Sequence, residues 1–279
     1  MDTTNDQITE QQRQTWNKFS GGWEKWDQWV VNWLEPIGEE LLTQVELKNS
    51  DKIIDVSTGT GEPGLTAASR ATQVVATDVA EDMVEIARQH AESKELSNFE
   101  AKVADAENLP FLDNEFDAVT CRLGVMYFAN PAAGVQEMSR VLKPGRKLAL
   151  AAWSDPAKNP WATTAAGVIN KLLNLPAPAP DAPGVFRCHQ PGKLTELFQQ
   201  VGLQDPSQAE VNGEAVFDSP ELYWEFVTDV VAPVATPLSN ANESTREQAR
   251  QAVMKATEPY LRDGKVIFPW ACWVGSGRK

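Results

Sequence analysis

Histidine, cysteine and positive charge are all in short supply in this chain. Its 279 residues include two His and three Cys, and neither type falls in a C-x-x-C or H-x-x-x-H spacing, so no ligand set for a transition metal is legible. Cys121, Cys188 and Cys272 are widely separated and odd in number, which fits reduced thiols rather than a disulfide framework. Lys and Arg total 25 against 39 Asp and Glu, a formal net charge of -14. So acidic a surface repels phosphate backbones and anionic lipid, which argues against nucleic-acid partners and basic-patch docking to membranes. No uninterrupted apolar run approaches the roughly 18 residues of a membrane span. The polar start MDTTNDQITEQQRQ lacks the basic-then-apolar pattern of a secretory signal. The expectation is a cytoplasmic protein with no stable membrane insertion.

What the chain does have is IIDVSTGTGEPG, Ile53 to Gly64, in which Gly59, Gly61 and Gly64 spell G-x-G-x-x-G. KIIDV before it reads as a buried strand. TGEPGLTAASRA after it opens a helix reaching Ala71, with Pro63 tolerated in the first turn. Such a loop suits a dinucleotide, and Asp78, at the end of the next apolar run QVVATD, stands about 20 residues on, where a ribose-binding carboxylate belongs. A nicotinamide oxidoreductase is therefore one reading. Asp55 argues against it, because a carboxylate beside a helix N-terminus repels a pyrophosphate. The same carboxylate suits a ligand that brings an ammonium group. The plainer reading of Asp55 is a strand-end residue hydrogen-bonded to the glycine loop.

From Lys52 to Ala152 strand-like and helix-like segments alternate, which implies a doubly wound α/β fold with a mostly parallel sheet and ligands bound outside the carboxyl ends of its strands. Asp55, Asp78 and Asp105 fall at those ends. Asp78 is placed to accept both ribose hydroxyls, and Asp105, followed by Ala106, to accept from an adenine amino group. Each alone reads as a cap or turn residue, but three around one glycine loop point to a nucleoside site.

DVSTGTGEPG, ATDVAEDMVEIARQHA, VADAENLPFLDNEFDAVTCRLGVMYF and EMSRVLKPGRKLALAAW resemble, in order and spacing, the successive motifs of class I S-adenosylmethionine-dependent methyltransferases. They are most similar to the ubiquinone/menaquinone-biosynthesis type that acts on small molecules. The resemblance covers about Asp51 to Trp153 and departs at Ser57-Thr58, where that family more often has Gly-Cys. It implies a Rossmann-like sheet closed by a C-terminal antiparallel strand pair, for which AEVNGEAVF and KVIFPWACWVG are the candidates. It further implies S-adenosylmethionine as cofactor and S-adenosylhomocysteine as product. Gly59 and Gly61 would line the methionyl end, Asp78 bind the ribose, Met83 pack near the adenine and Asp105 and Ala106 flank it, with Asp55, Thr58 and Val79 also counted among the cofactor-binding residues. Arg122 would close the site.

Three segments follow: an N-terminal helical cap rich in Trp (1–48), the cofactor-binding core (49–153), and cap insertions that also complete the sheet (154–279). In the last, WATTAAGVINKLLNL and HQPGKLTELFQQVGL read as helices, the second ending near Gly202. LPAPAPDAPGVF between them reads as an extended connector, and Pro220 to Arg262 as helices. In the first, Gly21-Gly22 reads as a break before Trp23, Trp26, Val30 and Trp33, which recur at helical spacing. This face either packs on the sheet or sends Trp16, Phe19, Trp23 or Trp26 over the cofactor as an aromatic lid, since aromatic faces attract a sulfonium. Candidate bases are Tyr127 and His189. The acidic run Asp113, Glu115 and Asp117 reads as a solvated turn, with no metal expected. The acceptor is expected between the strand ends and a cap built from the N-terminal helix and the segment from Trp153 to Leu203. The function these features support is a methyltransferase for a small-molecule acceptor, monomeric or homodimeric. The competing readings are the oxidoreductase and a non-catalytic S-adenosylmethionine-binding module.

Overall fold

KIIDV, apolar apart from Lys52 and Asp55, becomes β1 (Lys52–Val56), with its last four residues buried. Cover on both faces is the condition of a central strand in a parallel sheet. In the computed structural model, which describes residues 3–177, 179 and 181–279, β1 lies between β2 (Gln73–Asp78) and β4 (Phe116–Arg122). β3 (Phe99–Val103) lies beyond β2 and β5 (Leu142–Trp153) beyond β4, all parallel. Two long strands complete the sheet in antiparallel fashion: β8 (Lys265–Arg278) pairs β5, and β6 (Gln204–Phe217) pairs β8. The order β3-β2-β1-β4-β5-β8-β6 is a Rossmann-like, doubly wound arrangement whose direction reverses beside β1, so a crevice opens where β1 and β4 end. A short β7 (Leu261–Arg262), absent from the sequence reading, folds back on β8 through Asp263 and Gly264, both at positive φ, the Asp-Gly turn of a tight hairpin.

The helices follow their caps. α3 (Gly64–Ala68) stops short of Ala71, because the Asn98 amide donates to the carbonyls of Ala68 and Ala71 at 2.8 and 3.1 Å and satisfies acceptors that a longer helix would have bonded itself. α4 (Glu81–Ser93) follows β2. α5 (Pro131–Val141) starts with Pro at its first turn and Asn130 accepting from the Ala133 N–H, a standard pairing of cap and proline. Beyond β5 come α6 (Pro160–Leu172) and α7 (Lys193–Gln200), the latter followed by Gly202 at φ 79. α8 (Pro220–Val230), α9 (Ala232–Ser239) and α10 (Glu243–Ala256) fill the stretch before β7. Pro178 and Pro180 of the expected extended connector lie outside the described residues. From Gly184 the chain turns rather than extends, with Arg187 N–H donating to the Gly184 carbonyl and His189 N–H to that of Phe186.

The N-terminal segment departs from the sequence reading in one respect. α1 (Thr3–Lys25) runs unbroken through Gly21-Gly22, and the break comes at Trp26, ahead of α2 (Asp27–Gln44). Gly22 is there for packing rather than for a turn: a Cβ at that position would lie 2.2 Å from the Asp229 carbonyl oxygen, so only glycine lets α1 rest on the end of α8. The contact is sealed by Asp229 Oδ2, which accepts from Lys25 Nζ at 2.7 Å and Trp26 Nε1 at 2.9 Å. α2 is then fixed by aromatic contacts. Trp33 stacks on Trp153 at 5.6 Å and meets Trp161 edge-on at 4.8 Å, while Trp29 stacks on Phe217 at 4.5 Å; each such pair adds about 0.5–1.5 kcal/mol beyond the area it buries.

Gly22→Ala is expected to lower the unfolding free energy by about 1–3 kcal/mol through overpacking. Gly21→Ala, on the same helix with nothing within 4 Å of the added Cβ, is expected to raise it by about 0.5–1 kcal/mol. Urea denaturation of the two variants checks the pair, and equal effects would contradict the assignment.

Candidate functional site

The loop after β1 takes its shape from three residues at positive φ, Ser57 (56°), Gly59 (59°) and Gly61 (119°). An L-residue in this left-handed region costs roughly 1–2 kcal/mol, so Ser57 carries strain that the glycine of the resembled family avoids. Its side chain is accommodated because Gly124 stands opposite, where a Cβ would come within 2.5 Å of Ser57 Cβ. The loop is held from beneath by Asp55. Thr58 donates its hydroxyl to one carboxylate oxygen and Thr120, on β4, to the other, each at 2.7 Å. Gly64 packs against the Asp55 Cβ, with 3.4 Å left for a side chain that glycine lacks. Asp55 is fully buried, and burial pushes its carboxyl up to about 6 in spite of the two hydroxyls and the nearby Arg122, which pull it down.

Above the loop lies a cleft with a cavity volume of about 140 Å³. Its floor is made of Ser57 to Thr60, Asp78, Val79, Met83, Ala104 to Glu107, and Arg122 to Gly124 with Tyr127 to Ala129; its roof is Thr9, Gln12, Trp16 and Trp23 from α1 with Val30 and Leu34 from α2. Asp78 accepts from the Gly59 N–H at 2.9 Å on one oxygen and from the Ala80 N–H at 3.0 Å on the other, leaving each oxygen a further lone pair. Burial raises its pKa, and the backbone donors oppose the rise. Asp105 accepts from the Glu107 N–H at 2.9 Å. The α1 roof is pinned at the start of α4, where Glu81 accepts from Arg13 and Asn17 while Asn17 Oδ1 accepts from the Asp82 N–H at 3.1 Å.

Of the expected cofactor residues, Thr58, Gly59, Asp78, Val79, Met83, Asp105, Ala106 and Arg122 line this cleft. Asp55 and Gly61 do not. Both Asp55 oxygens are bonded under the loop, so the expectation that it meets a ligand ammonium is corrected to a bracing role, and Gly61 is turned against Leu65, 2.7 Å from where its Cβ would be. Trp16 and Trp23 are in the roof, whereas Phe19 is a core residue and Trp26 is spent on Asp229 and Phe226; these two are removed from the lid. Tyr127 is a cleft wall, edge-on to Trp16 at 5.1 Å, and burial raises its pKa well above the ordinary phenol range, which makes it a poor base at neutral pH.

His189 stands outside the cleft, with Nδ1 2.6 Å from the Phe186 carbonyl and its own carbonyl accepting from Trp273 Nε1; it is removed as a base. Among the described residues nothing from 154–279 lines the cleft, so the expected wall from Trp153 to Leu203 is corrected to a backing layer: Gly184 N–H donates to the Met126 carbonyl and Arg187 to that of Phe128. The acidic run is engaged in ion pairs, Asp113 with Arg140, Glu115 with Lys52 and Asp117 with Lys143. The sequence reading missed Thr120, whose signal is its place two residues before Arg122 on the same strand face. It also missed Glu107, half-buried in the cleft wall, with a carboxyl that burial pushes upward and an oxygen that accepts from the Asn130 N–H at 2.8 Å.

An open sheet in this order, with a glycine loop braced by one buried carboxylate and a second carboxylate at the end of β2, is similar in arrangement to the α/β domains of class I methyltransferases. Residues 53–145 match the family model described as a methyltransferase domain. The demethylmenaquinone methyltransferase of Deinococcus radiodurans is 44% identical over 109 residues, covering 38% of this chain and 44% of that protein. The ubiquinone/menaquinone biosynthesis C-methyltransferase of Geotalea daltonii is 32% identical over 117 residues, covering 40% and 50%. The crystal structure of the YcgJ protein of Bacillus subtilis superposes with a TM-score of 0.59 at 20% identity, covering 88% of this chain and 98% of that one, a likeness of fold. Residues 53–145 are thus similar to the methyltransferase domains of S-adenosylmethionine-dependent enzymes of class I. The chain spans about half the length of the curated relatives it matches.

Because the folded pKa of Asp55, about 6, is raised above the roughly 3.9 of an unfolded aspartate, its neutral form favours folding; that contribution is full below about pH 4 and lost as pH rises through 6. The stability of the wild type relative to Asp55→Asn should therefore fall between pH 4 and pH 7, on the order of 2 kcal/mol. Paired thermal or urea melts across that range measure it, and a flat difference would show that Asp55 does not titrate there.

Proposed function

We propose that this protein is a cytoplasmic enzyme that transfers a methyl group from S-adenosylmethionine to a small-molecule acceptor held between the ends of β1 and β4 and the roof formed by α1 and α2. The observation that carries this reading is Asp78, a buried carboxylate in the cleft wall fixed by two backbone N–H groups beside a glycine whose missing Cβ leaves open space. That donor set fits a nucleoside: the fixed carboxylate is an acceptor for two ribose hydroxyls, and the bare loop permits close approach of a ligand. The bound cofactor supplies an electrophilic methyl group on a sulfonium. Val79 and Met83 would pack against the base, with Asp105 accepting from its amino group.

Trp16 and Tyr127 present aromatic surface at the reactive end, which attracts a cation and keeps water from the methyl group. With Trp23 and Phe128 they make a wall suited to a ring-bearing acceptor, in keeping with the quinone-type compounds named for the relatives. An acceptor that attacks through a free lone pair needs no base from the chain, and positioning with water exclusion supplies the rate. The three cysteines, all free and buried, agree with a reducing compartment.

Titration calorimetry tests the reading. S-adenosylhomocysteine should bind while NADH at the same concentration does not, and Asp78→Ala should weaken S-adenosylhomocysteine by about 1.5–3 kcal/mol, the cost of a charge-assisted acceptor. Binding of NADH in place of S-adenosylhomocysteine would overturn the proposal.

A further inference from the structure

Tyr127 and Tyr223 are both drawn into the protein, and they differ in what their hydroxyls do. Tyr223, on α8, is fully committed: its hydroxyl donates to the Trp161 carbonyl at 2.8 Å and accepts from the Ala165 N–H at 3.2 Å, as a buried phenol ordinarily does. The Tyr127 hydroxyl makes no hydrogen bond to any described residue, yet its oxygen is not sealed in the protein. The side chain lines the cleft, and the oxygen opens on it. Nor is the ring free to swing toward another partner. Tyr127 ends the single turn Val125–Tyr127, with its N–H donating to the Gly124 carbonyl at 2.9 Å. The carbonyls on either side are tied to the layer behind, Met126 accepting from the Gly184 N–H at 3.1 Å and Phe128 from Arg187. Trp16 meets the ring edge-on at 5.1 Å. Asp78 and Asp105 stand at the ends of β2 and β3, whereas Tyr127 follows β4 on the other side of β1, among the apolar walls of Trp16, Trp23 and Phe128.

We propose that the Tyr127 hydroxyl selects and orients the acceptor by donating a hydrogen bond to an oxygen carried on or next to the acceptor's ring. The occupant is an acceptor on the methyltransferase reading, and the proposal rests on that reading to this extent. Aromatic walls hold a ring without fixing its rotation, and one donor at a set position fixes it. A phenol that burial keeps protonated donates and does not take up a proton, so its part is recognition rather than base catalysis. A hydrocarbon ring of the same shape would leave the hydroxyl desolvated and unpaired, and a site that buries a polar group rejects the analogue that cannot pair with it. The substrate class is therefore an oxygenated ring, a ketone, phenol or quinol, rather than a bare hydrocarbon ring.

The experiment is equilibrium dialysis of the full chain, as wild type and Tyr127→Phe, against acetophenone and ethylbenzene, two single-ring compounds of one shape that differ by a carbonyl. S-adenosylhomocysteine is titrated into the wild type separately by calorimetry. Tyr127→Phe keeps the ring and its contact with Trp16 and removes only the hydroxyl. The variant is expected to weaken acetophenone about three- to tenfold, the net worth of one hydrogen bond, and to leave ethylbenzene unchanged. Unchanged ethylbenzene binding also shows that the wall is intact in the variant. Equal losses of both compounds would make Tyr127 a packing residue, and unchanged acetophenone binding would remove the bond. Either result overturns the proposal, as does a wild type that holds neither compound. Should the wild type fail to bind S-adenosylhomocysteine while the variant still separates the two compounds, the methyltransferase reading falls and the hydroxyl stands as the selecting donor for a different occupant.

Discussion

Asp55 accepts a hydroxyl proton on each of its oxygens, one from the glycine loop and one from β4, and this pair of bonds joins three parts of the site that the chain brings from far apart. Ionisation at this depth is costly, as its upward shift shows, and neutral donors can satisfy either protonation state because a hydroxyl rotates. With Thr58 anchored below, the Gly59 N–H is presented to Asp78 across the end of β2. The carboxylate in the cleft is thus positioned by the one beneath the loop. The strained Ser57 is tolerated on the same ground: the surrounding bonds over-determine the loop, so its unfavourable φ persists.

The cap depends on a different economy, one of aromatic surface. The tryptophans of α2 are spent on the body of the protein, Trp29 and Trp33 binding the helix to β5, β6, α6 and α8. Those of α1, Trp16 and Trp23, are left for the cleft. α1 is held at its middle and at its C-terminal end by polar contacts, Arg13 and Asn17 to α4 and Lys25 to α8. These are exposed pairs of small individual worth, and α1 is held besides by Gly22 packed on Asp229 and by the buried Phe19.

The sheet was legible in the sequence because its central strands are unbroken apolar runs punctuated by glycine and aspartate, a pattern that local chemistry dictates. Asp78, Met83 and Asp105 were legible for the same reason, each at a strand end or helix start that the pattern locates. Gly22 was misread because a glycine pair has the same local signature whether it breaks a helix or admits a neighbour, and only the approach of Asp229 decides. Asp55 was split between two readings by a difference of a few ångströms in which way its oxygens point, set by Thr120 at a separation of 65 residues. His189 and the segment beyond Trp153 failed as site elements because nothing local says that β8 and β6 would carry them behind the cleft wall rather than over it.

The central claim is that the braced loop and the Asp78 carboxylate form a cofactor cleft roofed by α1, with the reacting end beneath Trp16 and Tyr127. A crystal structure with S-adenosylhomocysteine bound tests it most directly. The account predicts ribose hydroxyls on Asp78, the base beside Met83, the sulfur facing the wall of Trp16 and Tyr127, and Asp55 still bonded to both threonines. A ligand whose ribose lies away from Asp78, or a sulfur that faces the layer beyond Trp153 instead of the α1 roof, would contradict it.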